Sequence, residues 1–209
     1  MNIELDDKQF RIFHAAKQHF AEHGFHQTST QHIAEAAGVS KGLLFHHYQS
    51  KKKLYLLIIE NSIDLLASEV ENEWTSSDDD FFVQLKRFIQ TKIKAAIKYP
   101  LEYQLLIQAF SNAPKSLNEE IHQLILKKSQ EIQPLGDQAI YGLLKTYSLR
   151  DGIDIALVED VVRVVLDRFA QRLISEYAGR YKELIHNKES VLLELDAIID
   201  LLKYGVSRA

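Results

Sequence analysis

Histidine is the side chain best suited to chemistry in this 209-residue chain, which holds nine of them and no cysteine. Without cysteine there is no thiolate metal site, no disulfide framework and no thiol nucleophile. His19 and His23 lie one helical turn apart and would bind zinc only if a third ligand approached. As two exposed polar residues they need none. Glu119/His122 and Glu183/His186 both show the E-x-x-H pattern. In helical bundles two such motifs, joined by a Glu from each of two other helices, hold a di-iron centre for oxidative chemistry. Glu is common enough here for such pairs to arise by chance, and His186 falls at a helix end beside Asn187. The run Thr75-Ser76-Ser77-Asp78-Asp79-Asp80 lacks the spacing and glycine of a calcium loop. It suits a helix start, where carboxylates oppose the positive end of the dipole. No phosphate-cradling glycine loop, nucleophile elbow or triad spacing occurs. The expectation is a protein that is not an enzyme and uses neither a metal nor a cofactor.

Lys51, Lys52 and Lys53 form a second chemical feature, at the start of an apolar helix that Ser50 can cap. Cations in that turn face the positive end of the macrodipole, at about 0.3–1 kcal/mol each, and they repel one another. A solvated charge run would splay into water. A phosphate would relieve the repulsion, and a helix N-terminus already donates backbone N–H groups to anions.

The elements that must position these groups read as all-α. Apolar residues make up 46% and charged residues 26%, the balance of an ordinary globular protein. No apolar run approaches the roughly 18 residues that span a bilayer; the strongest, Leu54 to Ile59, stops at Glu60. The polar, acidic start MNIELDDKQF is unlike a signal peptide, so a cytoplasmic protein with no membrane association is expected. Stretches with helical spacing fill most of the chain and predict about nine helices. The first covers about 7–23, with Gly24-Phe25 as its C-cap. Thr28 and Gln31 have the spacing of a capping box for the second, whose inner face is Ile33, Ala34 and Ala37. Gly38-Val39-Ser40 turns the chain into a third helix ending near Tyr48, and Leu54, Leu57, Ile58, Ile63, Leu65 and Leu66 line a fourth. Later helices are predicted over 81–98, 101–112, 116–132, 135–148, 155–179 and 189–204. Two short helices joined by a glycine turn have the proportions of a helix-turn-helix, or of any sharp αα-turn.

The stretch HGFHQTSTQHIAEAAGVSKGLLFHHYQSKKKLY resembles the N-terminal DNA-binding domain of the TetR family of transcriptional regulators. The matching residues are Gly24-Phe25, Thr28, Ile33-Ala34, Ala36 to Ser40, Gly42, Leu44-Phe45, His47-Tyr48, Ser50-Lys51 and Leu54. The match covers about residues 8–56. The resemblance implies that the third helix lies in the major groove, with Lys41, Gly42, Leu43 and His46 nearest the base edges. Gly42 would let the backbone approach closely, Lys41 could reach a guanine edge or a phosphate, and Leu43 could meet a thymine methyl. Thr28 and Thr30 at the start of the second helix, and His47 and Lys51 on the other side, would donate to phosphates, which position without specifying; Gln31 is a further DNA-binding candidate. Phe45 stands where the family often carries Tyr, and Tyr48 where it often carries Phe, with a hydroxyl that could reach solvent. Lys52 and Lys53 replace acidic residues.

The resemblance further implies a DNA-reading domain over 1–53 and a larger helical domain over 54–209 that binds a ligand and dimerises. The expected function is a homodimeric transcriptional regulator, a repressor that binds a palindromic operator of double-stranded DNA and is released by a small-molecule effector. Ala156 to Tyr177 is apolar on more than one face, and Val191, Leu192, Leu195, Ile198, Ile199 and Leu202 form a stripe. These two helices are the expected dimer interface; alternatively both close the monomer core. Tyr99, Tyr103, Phe110, Tyr141, Tyr147 and Phe169 are candidates to line a ligand pocket, or plain core aromatics. Arg168 and Arg172 could hold an anionic ligand, or be surface charge or dimer salt bridges. The net charge of −4 divides unevenly. Residues 1–53 hold seven Lys and Arg against five Asp and Glu, with seven of the nine histidines, and residues 54–209 hold 18 against 24. A reading head of +2 is joined to a body of −6, so the overall acidity does not exclude a nucleic-acid partner.

Overall fold

The structure is a computed structural model that describes residues 6–73, 80–111, 113–132, 142, 144–145, 147–177 and 180–205. Ten helices and no strand occur among the described residues: α1 Asp7–Gln27, α2 Thr30–Ala36, α3 Lys41–Tyr48, α4 Lys51–Glu73, α5 Phe81–Lys98, α6 Pro100–Ser111, α7 Asn118–Ile132, α8 Ile155–Tyr177, α9 Tyr181–His186 and α10 Lys188–Tyr204. The helix predicted over 135–148 lies mostly outside the described residues, as do 75–79 of the acidic stretch. Asp80 is described and caps α5: one carboxylate oxygen accepts from the Phe82 N–H at 2.9 Å. The protein is all-α, as the helical spacing predicts.

The chain packs as two units, Met1–Ser68 with Tyr99–Ser129, and Glu69–Lys98 with Gln130–Ala209. In the first, Ile12, Phe20, Ile33, Leu44, Leu54, Ile58, Ile59, Leu105 and Ile121 form one core. α1 lies against both α2 and α6. Lys17 and Glu102 form an ion pair from α1 to α6 with both side chains nearly buried. Lys128 of α7 holds Glu60 and Asp64 of α4 at 3.3 and 2.8 Å. In the second unit, α5 packs on α9 and α10, and α9 on α8. Phe82, Leu85, Phe88, Val162, Phe169, Leu173, Leu184, Val191, Leu195 and Ile199 are buried there. Ion pairs tie α5 to α10 (Lys86–Asp196, 2.8 Å) and α8 to α10 (Arg172–Glu194, 2.6 Å).

α1 begins with a capping box: the Asp6 carboxylate accepts from the Gln9 N–H at 2.7 Å, and Gln9 Oε1 accepts from the Asp6 N–H at 3.0 Å. Its other end differs from expectation. The chain does not stop at Gly24; it kinks there, with φ 70° and ψ 177°, and continues helically to Gln27. Only glycine adopts that conformation readily. The kink returns Phe25 to the core, where its ring meets Phe20 and Tyr55 at 6.2 and 5.1 Å.

Candidate nucleic-acid interface

α2 starts one residue later than the spacing of Thr28 and Gln31 suggests. Ser29 is the N-cap, its hydroxyl accepting from the Gln31 N–H at 3.1 Å. No Thr28/Gln31 box forms, because Thr28 is spent inward. It is 3% exposed, and its hydroxyl faces the His19 and Gly24 carbonyls at 3.0 and 2.7 Å. Thr28 therefore clasps the kinked end of α1. Thr30 is half-buried and Gln31 exposed, with the Gln31 amide donating to Glu35 at 2.8 Å.

The turn between α2 and α3 is built as the sequence suggests. Gly38 has φ 65°, the Gly38 and Val39 N–H groups donate to Glu35 and Ala34, and Ser40 caps α3 through the Leu43 N–H at 3.1 Å. Arg11, which sequence reasoning passed over, donates to the Ala37 carbonyl at 2.8 Å and fastens the turn to α1.

α3 buries Leu44 and Tyr48, four residues apart. Lys41, Gly42, Phe45 and His46 are exposed, while Leu43 and His47 are half-buried. The candidates on this helix therefore face away from the core or flank that outer face. Gly42 has an ordinary helical backbone, and a Cβ there would meet only Ser40 Oγ, at 3.9 Å. Nothing inside the protein requires glycine at 42, although glycine costs a helix about 0.5–1 kcal/mol relative to alanine.

The Tyr48 hydroxyl does not reach solvent. It donates to the Gln9 carbonyl at 2.8 Å, and burial, aided by the negative charge of Asp6, pushes the phenol up to about 12. Each of the three lysines finds a partner within the protein. Lys51 Nζ sits 4.5 Å above the Phe25 ring and donates to the His26 carbonyl at 3.5 Å; burial lowers its pKa. Lys52 pairs with Glu120, whose carboxyl the bond holds below its ordinary range, and Lys53 donates to Gln49. Ser50 caps α4 through the Lys53 N–H at 3.1 Å.

The pocket candidates divide between the units. Tyr99, Tyr103 and Phe110 belong to the first, where Phe110 is exposed and Tyr103 half-buried. Tyr147 and Phe169 belong to the second; Tyr147 meets Phe82 at 5.5 Å, and Phe169 is buried beneath the Arg172 guanidinium at 5.6 Å. Tyr141 lies outside the described residues. Arg172 is paired with Glu176 and Glu194, and Arg168 is exposed. The His19 and His23 rings lie 5.9 Å apart, and no cluster of three or more potential metal ligands occurs among the described residues. No helix among them is long and apolar enough to cross a membrane.

Comparison with known proteins agrees with this architecture along most of the chain. Residues 12–58 match the model of the bacterial regulatory proteins of the tetR family, and residues 79–207 match the tetracyclin repressor-like C-terminal domain. The HTH-type transcriptional regulator RutR of Escherichia coli K12 is 30% identical over 128 residues, covering 58% of this chain and 58% of RutR. The HTH-type transcriptional repressor AcnR of Corynebacterium diphtheriae is 25% identical over 175 residues, covering 83% of this chain and 85% of AcnR. The crystal structure of the transcriptional regulator FadR from Bacillus subtilis, in complex with stearoyl-CoA, superposes with a TM-score of 0.61 at 17% identity, over 95% of this chain and 99% of that one. The chain belongs to the TetR family of bacterial regulatory proteins.

Proposed function

We propose that the protein is a transcriptional regulator, not an enzyme. It binds a palindromic DNA operator as a homodimer, acts as a repressor and is released by a small-molecule effector. The single observation that carries the DNA-reading role is Gly42. Its missing side chain serves no internal packing, so it serves the approach of something outside. Lys41, Gly42, Leu43 and His46 meet base edges in this reading, while Thr30, Gln31, His47 and Lys51 meet the backbone. Thr28 contributes by holding the loop before α2. Selection from random-sequence duplex DNA should enrich a palindrome, and recovery of no enriched sequence would sink the proposal. Gly42→Ala should stabilise the fold by about 0.5–1 kcal/mol in urea unfolding while weakening binding to the selected duplex. A variant that is stabilised and binds fully would show that the glycine has no part in recognition.

Residues 1–53 are the reading head in this proposal, and 54–209 carry ligand binding and dimerisation. Two outward apolar faces in the second unit support the dimer. On α8, Leu157, Val161 and Val164 are exposed, Val164 to 67%, behind the inward Val162, Phe169 and Leu173. On α10, Leu193 at 70%, Leu201 and Tyr204 are exposed, behind Val191, Leu195 and Ile199. Apolar side chains aligned on one helix face and left in water mark an interaction surface. Two copies related by a twofold axis would cover both faces and place two recognition helices on successive half-sites, about 34–36 Å apart. Replacing Val164 and Leu193 together by Glu should raise the dimer dissociation constant at least about tenfold, because interfacial carboxylates would lack partners. Sedimentation equilibrium reads this directly, and an unchanged constant would move the interface elsewhere.

The effector is proposed to bind in the larger domain, with Tyr147 and Phe169 of the second unit as the candidates to test first. FadR, with its bound stearoyl-CoA, makes a fatty acyl compound one class to test. Mass spectrometry of the purified protein would identify a retained effector. The reading places the protein in the cytoplasm, where bacterial DNA lies.

A further inference from the structure

We propose that Gln9, which lies outside the helix-turn-helix, is a positioning residue for DNA binding: it fixes the ring proton of His47 on Nε2 and so presents an N–H donor to a DNA phosphate.

The argument starts from the capping box. A backbone N–H can only donate, so the Asp6 N–H, at 3.0 Å from the Gln9 side chain, identifies the atom facing it as the carbonyl oxygen Oε1. The remaining end of that amide, Nε2, faces His47 Nδ1 at 3.3 Å. An amide nitrogen is a donor, so His47 Nδ1 accepts and the neutral ring carries its proton on Nε2. That second nitrogen is buried and has no hydrogen-bond partner among the described residues. A buried donor without an acceptor costs roughly 1–3 kcal/mol, so a phosphate oxygen that displaces the groups covering this nitrogen on binding would relieve a deficit already present. The Gln9 carbonyl meanwhile accepts from the Tyr48 hydroxyl. One residue of α1 thus holds the last two residues of α3, one through its backbone and one through its side chain.

The charged and titratable groups near His47 fit this assignment. Asp6 is close enough for the two to interact electrostatically, Lys8 neighbours Asp6 in turn, and the His46 ring packs edge-on at 5.3 Å. The Asp6 carboxylate is already engaged by the Gln9 N–H. Gln9 is therefore the group whose hydrogen bond sets the tautomer.

The inference rests on the DNA-binding reading above, and its test separates the two. Nitrogen-15 spectra of the intact protein at neutral pH should show His47 protonated at Nε2; a ring protonated at Nδ1 overturns the proposal without any variant. A double-mutant cycle then uses affinity for a mixed-sequence duplex, because phosphate contacts need no particular operator. Gln9→Ala should weaken binding about three- to tenfold in the parent protein and leave it unchanged in a His47→Ala background. Loss of the capping box alone would weaken both backgrounds equally, and that additive result overturns the proposal. If the parent protein binds no duplex at low salt, the DNA-binding reading falls and this inference with it. Duplex binding with an additive cycle removes the inference alone.

Discussion

Lys17→Met is expected to destabilise the protein by about 3–5 kcal/mol, the cost typical of leaving one member of a buried ion pair without its partner. Both side chains of the Lys17–Glu102 pair are nearly excluded from water. With lysine gone, the Glu102 carboxylate must stay charged without a counterion, take up a proton or pull α6 away from α1. The companion experiment decides whether charge is the cause. Lys17→Met combined with Glu102→Leu removes both charges and keeps apolar volume, and should recover most of the loss. Urea unfolding at constant pH measures both. A double variant as unstable as the single one would place the cost in packing.

Gly24→Ala is expected to cost about 1–3 kcal/mol, the strain of a side chain held where glycine is the natural occupant. With φ 70° and ψ 177°, the residue lies beyond the left-handed helical region that Asn or Asp tolerate. Space is also short, since an added Cβ would stand 3.2 Å from Gln108 Oε1. That side chain is not free to move away. Its amide donates to the Ala21 carbonyl at 2.7 Å, where the Gln104 amide also donates, at 2.8 Å. Carbonyls near a helix break lose ladder donors, and two glutamines of α6 serve this one. Differential scanning calorimetry of Gly24→Ala beside Gly42→Ala makes the comparison sharp. Both add the same methyl group to the same domain, and the two should move Tm in opposite directions.

The sequence was most informative where the physics is local. Gly38 and Ser40 build the turn, Ser50 caps α4, and Leu44 and Tyr48 turn inward, all through bonds or packing within a few residues. Local patterns also misled where two neighbours compete. Thr28 and Gln31 have the right spacing for a cap, but Ser29 takes the role because the Thr28 hydroxyl finds better acceptors in the kinked end of α1. Long-range partners left no such trace. Lys17 and Glu102 are 85 residues apart, and nothing in three adjacent lysines reveals that Lys52 will meet Glu120. Gln9 was invisible for a related reason: a lone glutamine early in the chain carries no signal until α3 is seen to end against it.

The covering of α1 by α6 has a consequence for biosynthesis. All of the helix-turn-helix has been synthesised once residue 58 is made, yet the core it shares includes Leu105 and Ile121. At about 5–20 residues per second, translation needs roughly 3–13 seconds more to supply them. During that interval the nascent N-terminal helices present Ile12, Ala16 and Phe20 without their full cover, and Lys17 remains hydrated. The helix-turn-helix is made first, but its core is completed only when more than half of the chain has been translated.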